Sequence, residues 1–273
     1  MKVLTLDVAI STHKAEGIKK VESMLPPALP NVRYIVSWQE HFNEIIPQKL
    51  LSRDDVEIHR FEGKGLSNNR NNALNYCKGD IVLIGDDDLH YKPDFSEKIL
   101  SAFGDDETLD LALFKVDFEG GKTYPESDCI LRIPYPGKYF VSSVEISFRR
   151  DRIGLLRFYP QLGLGAPEME AGEDEFFVLA AIKRGLKCKF INRIIGQHIG
   201  ESTGSRVDMS CLRGQGFVIR SMYPWSFIFR LTLKSLRMSK QKGVKFLNVL
   251  HHLNRGAKLS IRYWKTIPKC YRW

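Results

Sequence analysis

The 273-residue chain has no paired-cysteine pattern, no long apolar run and, past Asp208, no acidic residue. Its five cysteines (Cys77, Cys129, Cys188, Cys211, Cys270) are scattered, odd in number and free of any Cys-x-x-Cys spacing. That argues against a disulfide framework and a zinc cluster, and favours a reducing compartment. No stretch approaches the ~20 apolar residues of a membrane span. The most apolar tract, Trp225 to Leu236, is broken by Arg230 and Lys234. No charged-then-apolar leader opens the chain, so the expectation is a cytoplasmic protein, soluble or peripheral on a membrane. The missing acidic residues leave 201–273 with a balance of +13, and the first 200 residues with −4, out of a formal total of +9. A near-neutral body with a basic tail suggests an anionic surface at one end only.

What is present alternates between two periodicities. Val3–Ile10, Val32–Ser37, Val56–Phe61, Ile81–Ile84 and Leu111–Val116 are short β-branched or aromatic runs, expected as strands. Lys14–Leu25, stopped by Pro26-Pro27, a segment from Ser67 to about Cys77, and Phe95–Phe103 are expected as helices, with Ser67 as an N-cap. This alternation predicts an open, mostly parallel α/β sheet, whose ligands collect at the carboxyl ends of the strands. Further on, Cys129–Ile133, Val144–Phe148 and Cys188–Ile191 are expected as strands and Glu173–Arg184 as a helix. From Val207 the pattern is helical, with Phe246, Val249, Leu250, Leu253 and Ala257 on one face.

Four segments could carry chemistry. Asp86-Asp87-Asp88 follows an apolar strand directly. Adjacent carboxylates repel by ~1 kcal/mol in water and ~4 in a cleft, so the triplet invites a divalent cation, Mn²⁺ or Mg²⁺. A solvated acidic turn would look the same in isolation. Gly63 to Ala73 leads glycines into a helix start, where free N–H groups suit a diphosphate and Arg70 lies in the first turn. Glu173-Asp174-Glu175 opens a helix after Gly172; the helix dipole alone accounts for such residues, and a general base at a cleft mouth does so equally. In Gln197–Gly204, His198 could complete a metal shell or contact the diphosphate.

In this order the segments resemble the family-2 glycosyltransferases of GT-A fold: Ser11-Thr12, Gly65-Leu66-Ser67 leading to Arg70-Asn71, Asp86-Asp87-Asp88 with Pro93, Glu173-Asp174, then His198. The resemblance spans roughly residues 1–205 and implies a catalytic domain there, with 206–273 as a basic amphipathic helical extension. It implies an inverting transfer of a hexose-type sugar from a nucleotide-sugar, read as UDP-linked, to an acceptor hydroxyl of a saccharide or lipid-linked acceptor. Such a step fits bacterial-type surface polysaccharide or glycolipid assembly. By the family's pattern Asp88 binds the metal, with Asp86 and His198 beside it. Asp86 and Asp87 also reach the donor, and Thr12, Gly65, Arg70 and Asn71 frame the nucleotide. Asp174 is the catalytic base and Glu173 organises the acceptor side. Family members commonly carry an Asp after the second strand to recognise the base; here Ser37-Trp38-Gln39 stands instead. Trp38 is then expected to stack on the base and Gln39 to bond its edge.

Three rivals are open to test. A sugar-nucleotide nucleotidyltransferase wants a Gly-rich basic loop after the first strand, which Ser11-Thr12-His13-Lys14 is not. An aspartyl phosphatase wants its acidic motif after the first strand. A nucleic-acid binder leaves the acidic triplet unexplained, and no nucleic acid is expected as partner. In the tail, Arg230, Lys234 and Arg237 fall at i, i+4 and i+7. That basic stripe is the kind that lies on anionic membranes, and equally the solvated face of a packed helix.

Overall fold

The computed structural model describes residues 3–42, 44–133, 140–199, 208–264 and 267. The chain forms two compact units, the first from residues 1–64, 68–156 and 181–201, the second from 65–67, 157–180 and 202–273. The segment carrying Glu173 and Asp174 thus packs with the C-terminal helices. The expected boundary after residue 205 lies outside the described residues.

In the first unit, β1 (Leu6–His13), β2 (Val32–Gln39), β3 (Val56–Phe61) and β4 (Ile81–Asp86) make the parallel half of one sheet, in the order β3-β2-β1-β4. The other half is mixed. It contains β5 (Leu89–Tyr91), β6 (Leu111–Phe118), β7 (Cys129–Ile130), β8 (Ile146–Arg149) and β9 (Cys188–His198), running on from β4 as β8-β6-β9-β5 with β7 against β9. The central strands are buried along their lengths, as continuous apolar runs require. Helices α1 (Lys14–Met24), α2 (Gln48–Leu51), α3 (Leu66–Tyr76), α4 (Phe95–Asp105) and α5 (Arg150–Ile153) accompany the sheet. Leu6, Val8 and Ile10 of β1 share one core cluster with Ile18 and Val21 of α1 and Phe95, Ile99 and Phe103 of α4.

β1 starts and ends three residues later than expected, so Ser11-Thr12-His13 close the strand rather than follow it. β2 continues through Trp38 and Gln39. α3 begins at Leu66, which makes Ser67 a first-turn residue and not the cap; its hydroxyl donates to the Leu162 carbonyl at 2.6 Å. β9 runs on to His198 past a bulge, where Phe114 pairs with Ile191 and the next residue, Lys115, with Ile194.

In the second unit, α6 (Glu173–Lys183) starts after Gly172, whose φ of +92° only glycine holds without strain. Phe176 and Phe177 on it pack with Phe158, Tyr159 and Phe217. α7 (Met209–Met222), α8 (Phe227–Lys242) and α9 (Phe246–Trp264) enclose Leu212, Leu231, Val249, Leu253 and Ala257. Gly216 and Gly256 let α7 and α9 touch backbone to backbone: a Cβ on either would lie under 2 Å from a carbonyl oxygen of the other helix. Among the described residues no helix is long and apolar enough to cross a membrane.

Candidate active site

Parallel strands β1 and β4 end side by side, with Ser11 opposite Asp86 in register. The acidic triplet therefore sits at the carboxyl edge of the sheet, where α/β folds bind ligands. Its three carboxylates point to three different partners. Asp86, the last residue of β4, accepts from the guanidinium of Arg70 at 3.1 and 3.2 Å and from the Ser143 hydroxyl at 3.2 Å. Arg70 also donates to Ser143 at 2.7 Å, closing a triangle in which Arg70 and Ser143 are both buried. Asp87 accepts from the Thr12 hydroxyl at 2.5 Å. Its carboxyl is pushed above the usual range by burial, with Asp86 and Asp88 adding to the rise and the Thr12 bond opposing it. Asp88 approaches His198, with Oδ2 at 3.3 Å from Nε2.

The backbone fixes that last contact. β5 pairs with β9 so that Leu89 lies opposite His198, and the Ile199 amide donates to the Asp88 carbonyl at 2.9 Å. Phe118 stacks on the His198 ring at 5.2 Å. The other carboxylate oxygen of Asp88, Oδ1, is buried and accepts no hydrogen bond from any described residue. A buried anionic oxygen without a donor is costly, and it fits a cation. The donor set of carboxylate oxygens and an imidazole nitrogen suits Mn²⁺ or Mg²⁺. Among the described residues no three His, Cys, Asp or Glu side chains converge into a cage. Mg²⁺-type sites are completed by one or two carboxylates and substrate phosphates, so a cage is not required.

Trp38 is corrected. Its ring is fully buried, and its indole N–H donates to the Lys14 carbonyl at 2.8 Å, so it belongs to the core and has no face for a base. Gln39 ends β2 opposite His13 and Phe61 and is buried at that edge. At the start of α3 the Leu66 amide donates to the Leu164 carbonyl at 2.9 Å. Gly65 before it has φ of +91°. On α3, Asn69 donates to the Thr12 carbonyl at 2.9 Å, which ties the helix to the end of β1, and Asn71 is half-buried.

In the second unit, Glu173 is buried while Asp174 beside it is half-buried. Gly163, at φ +97°, leaves the room in which the Glu173 carboxyl and the Ser67 hydroxyl lie, since a Cβ there would be 3.0 and 3.1 Å from them. Sequence reasoning missed Ser143. The available signal was the capping box Ser142-x-x-Glu145 at a 3-10 turn over Ser143–Glu145, which overlaps the first two residues of the strand expected over Val144–Phe148. Glu145 is itself fully buried and paired with Lys122.

A sheet of this order with this acidic edge is the fold of GT-A glycosyltransferases. Residues 39–160, a little under half of the chain, match the family described as Glycosyl transferase family 2. Among solved structures, S. aureus TarS 1-349 is similar at 13% identity and a TM-score of 0.58, over 97% of this chain and 93% of that one. The same fragment in complex with UDP-GlcNAc gives 14% and 0.56 over the same spans. A longer TarS structure is matched over 87% of this chain and 44% of its own length, at 15% and 0.58. No curated protein matches the sequence.

Proposed function

We propose that this protein is a family-2 glycosyltransferase that moves a hexose-type sugar, with inversion, from a UDP-linked donor to a hydroxyl of a saccharide or lipid-linked acceptor. The observation that carries it is Asp88. One of its oxygens faces His198 and the other is buried without a donor, at the sheet edge where a donor's diphosphate would lie. Crystal structures of TarS with UDP and with UDP-GlcNAc support the choice of nucleotide.

Asp88 and His198 would hold Mn²⁺ or Mg²⁺, with Asp86 at the margin of the shell. When bound, the ion supplies a Lewis acid that neutralises charge building on the departing diphosphate. Arg70 holds Asp86 in place and puts a permanent positive charge beside the carboxylates. Thr12 fixes Asp87 by its hydroxyl, so the two residues that lead into Asp88 are both anchored. Asp174 takes the proton of the acceptor hydroxyl as it attacks, a role worth about 10²–10⁴ in rate. Glu173 orients the acceptor side. The basic C-terminal extension would hold the enzyme at an anionic membrane surface, where a lipid-linked acceptor is presented.

The test is incubation with a panel of nucleotide-sugars, with and without Mn²⁺. Metal-dependent release of UDP, faster with acceptor, supports transfer. Consumption of pyrophosphate marks a nucleotidyltransferase, and silence with every donor sinks the proposal.

A further inference from the structure

The last helices carry a face that the fold does not use. α8 turns Leu231 and Ser235 into the core it shares with α7 and α9. On its far side Phe229 is 66% exposed and Leu236 52%; Ile228, nearer the packed face, is 68% exposed, and Trp225, in the turn that enters the helix, is 99% exposed. Large apolar side chains exposed together, and not singly, mark an interaction surface. Positive charge flanks the ridge: Arg237 and Lys240 are exposed on α8, and Arg230 lies over the Tyr223 ring at 3.6 Å. No acidic side chain follows Asp208 in the sequence, so nothing on α8 or α9 offsets these cations.

We infer that this face of α8, led by Trp225, is a docking surface for an anionic lipid bilayer. An apolar ridge with an interfacial Trp and a basic border is what a helix needs to lie in the headgroup layer. The charge argues against a second copy of the chain, because two such faces would bring like charges together. The site deepens the membrane reading of the extension and rests on it only for the kind of surface. It stands apart from donor chemistry.

The experiment uses the full-length protein with vesicles of phosphatidylglycerol and phosphatidylcholine, or of phosphatidylcholine alone, at low and high salt. Co-sedimentation is expected with the anionic vesicles at low salt, together with a blue shift of the tryptophan fluorescence. The pair Trp225→Ser and Phe229→Ser should abolish the shift and most of the binding. Arg237→Gln and Lys240→Gln should each lower partitioning about fivefold. UDP release from donor should be unchanged in all four, because these positions lie outside the site, so loss of docking and loss of chemistry are read separately. Absence of binding to anionic vesicles overturns the inference. So does binding that survives Trp225→Ser with Phe229→Ser, self-association through this face in sedimentation velocity, or capture of RNA in place of lipid.

Discussion

His198, the last residue of β9, places its Nε2 atom 3.3 Å from Oδ2 of Asp88 in the turn after β4. Backbone pairing of β5 with β9 sets this distance, so the two side chains are organised before any ligand arrives. If His198 is a ligand of the proposed cation, removing the imidazole takes away one nitrogen donor and leaves the carboxylates in place. His198→Ala is expected to weaken Mn²⁺ binding in the presence of UDP by about tenfold or more. Electron paramagnetic resonance of free Mn²⁺ reads this directly, and unchanged binding would remove His198 from the shell.

Arg70 is buried and shared between Asp86 and Ser143, whereas Asp86 is about a quarter exposed. Replacing Arg70 by Met removes the guanidinium from both, while Asp86 keeps the Ser143 hydroxyl at 3.2 Å. A fully buried broken pair costs about 3–5 kcal/mol, and partial solvation of Asp86 brings the expected loss to about 2. Arg70→Lys keeps the charge and loses the fork, so it should be only partly rescued. Ser143→Ala should shift stability in the same direction by about 1 kcal/mol. Thermal unfolding checks the order Arg70→Met, Arg70→Lys, Ser143→Ala from worst to mildest.

Two helical glycines make an internal comparison. A Cβ on Gly17 of α1 would fall 2.1 Å from the Thr12 hydroxyl and 2.7 Å from the Asp87 carboxylate, whereas one on Gly104 of α4 would meet nothing within 4 Å. Helix propensity alone favours Ala at both positions by up to about 1 kcal/mol. Gly104→Ala should therefore raise the melting temperature. Gly17→Ala should lower it by disrupting the Thr12–Asp87 bond, and should reduce donor turnover as well. Equal stabilisation by both would mean that the Thr12–Asp87 contact carries no constraint.

These contrasts follow the line between what was legible in the sequence and what was not. The parallel half of the sheet was legible because β1 to β4 are apolar runs bounded by turn residues, and Asp86 to Asp88 stood out at the end of one. Nothing local signals that β2 continues two residues beyond Val36-Ser37, so the burial of Trp38 in the core is not legible from its surroundings in the chain. β5 is three residues long and follows the acidic triplet, too short for any periodicity, yet it fixes the Asp88–His198 register. The bulge at Asn192-Arg193 interrupts the alternation of β9, which hides its course beyond Ile191 from the sequence. The pairing of Arg70 with Ser143 joins residues far apart in the chain, and no spacing rule reports such a contact.

Asp174 opens α6 half-buried, beside a buried Glu173. If it removes the acceptor proton, Asp174→Asn should lower transfer by about 10²–10⁴ while leaving UDP affinity within about twofold. Steady-state transfer and equilibrium binding of UDP, measured on the same preparation, distinguish a base from a residue that shapes the donor site.

The central claim is that the buried, donorless oxygen of Asp88 takes part in holding a cation against the donor's phosphates. Calorimetric titration of UDP with and without Mn²⁺, on wild type and Asp88→Ala, tests it most directly. Mn²⁺ should tighten UDP binding to the wild type by about tenfold or more, about 1.4 kcal/mol, and have no effect in the variant. Equal UDP affinity with and without the ion in the wild type, or an undiminished Mn²⁺ effect in Asp88→Ala, would contradict the account.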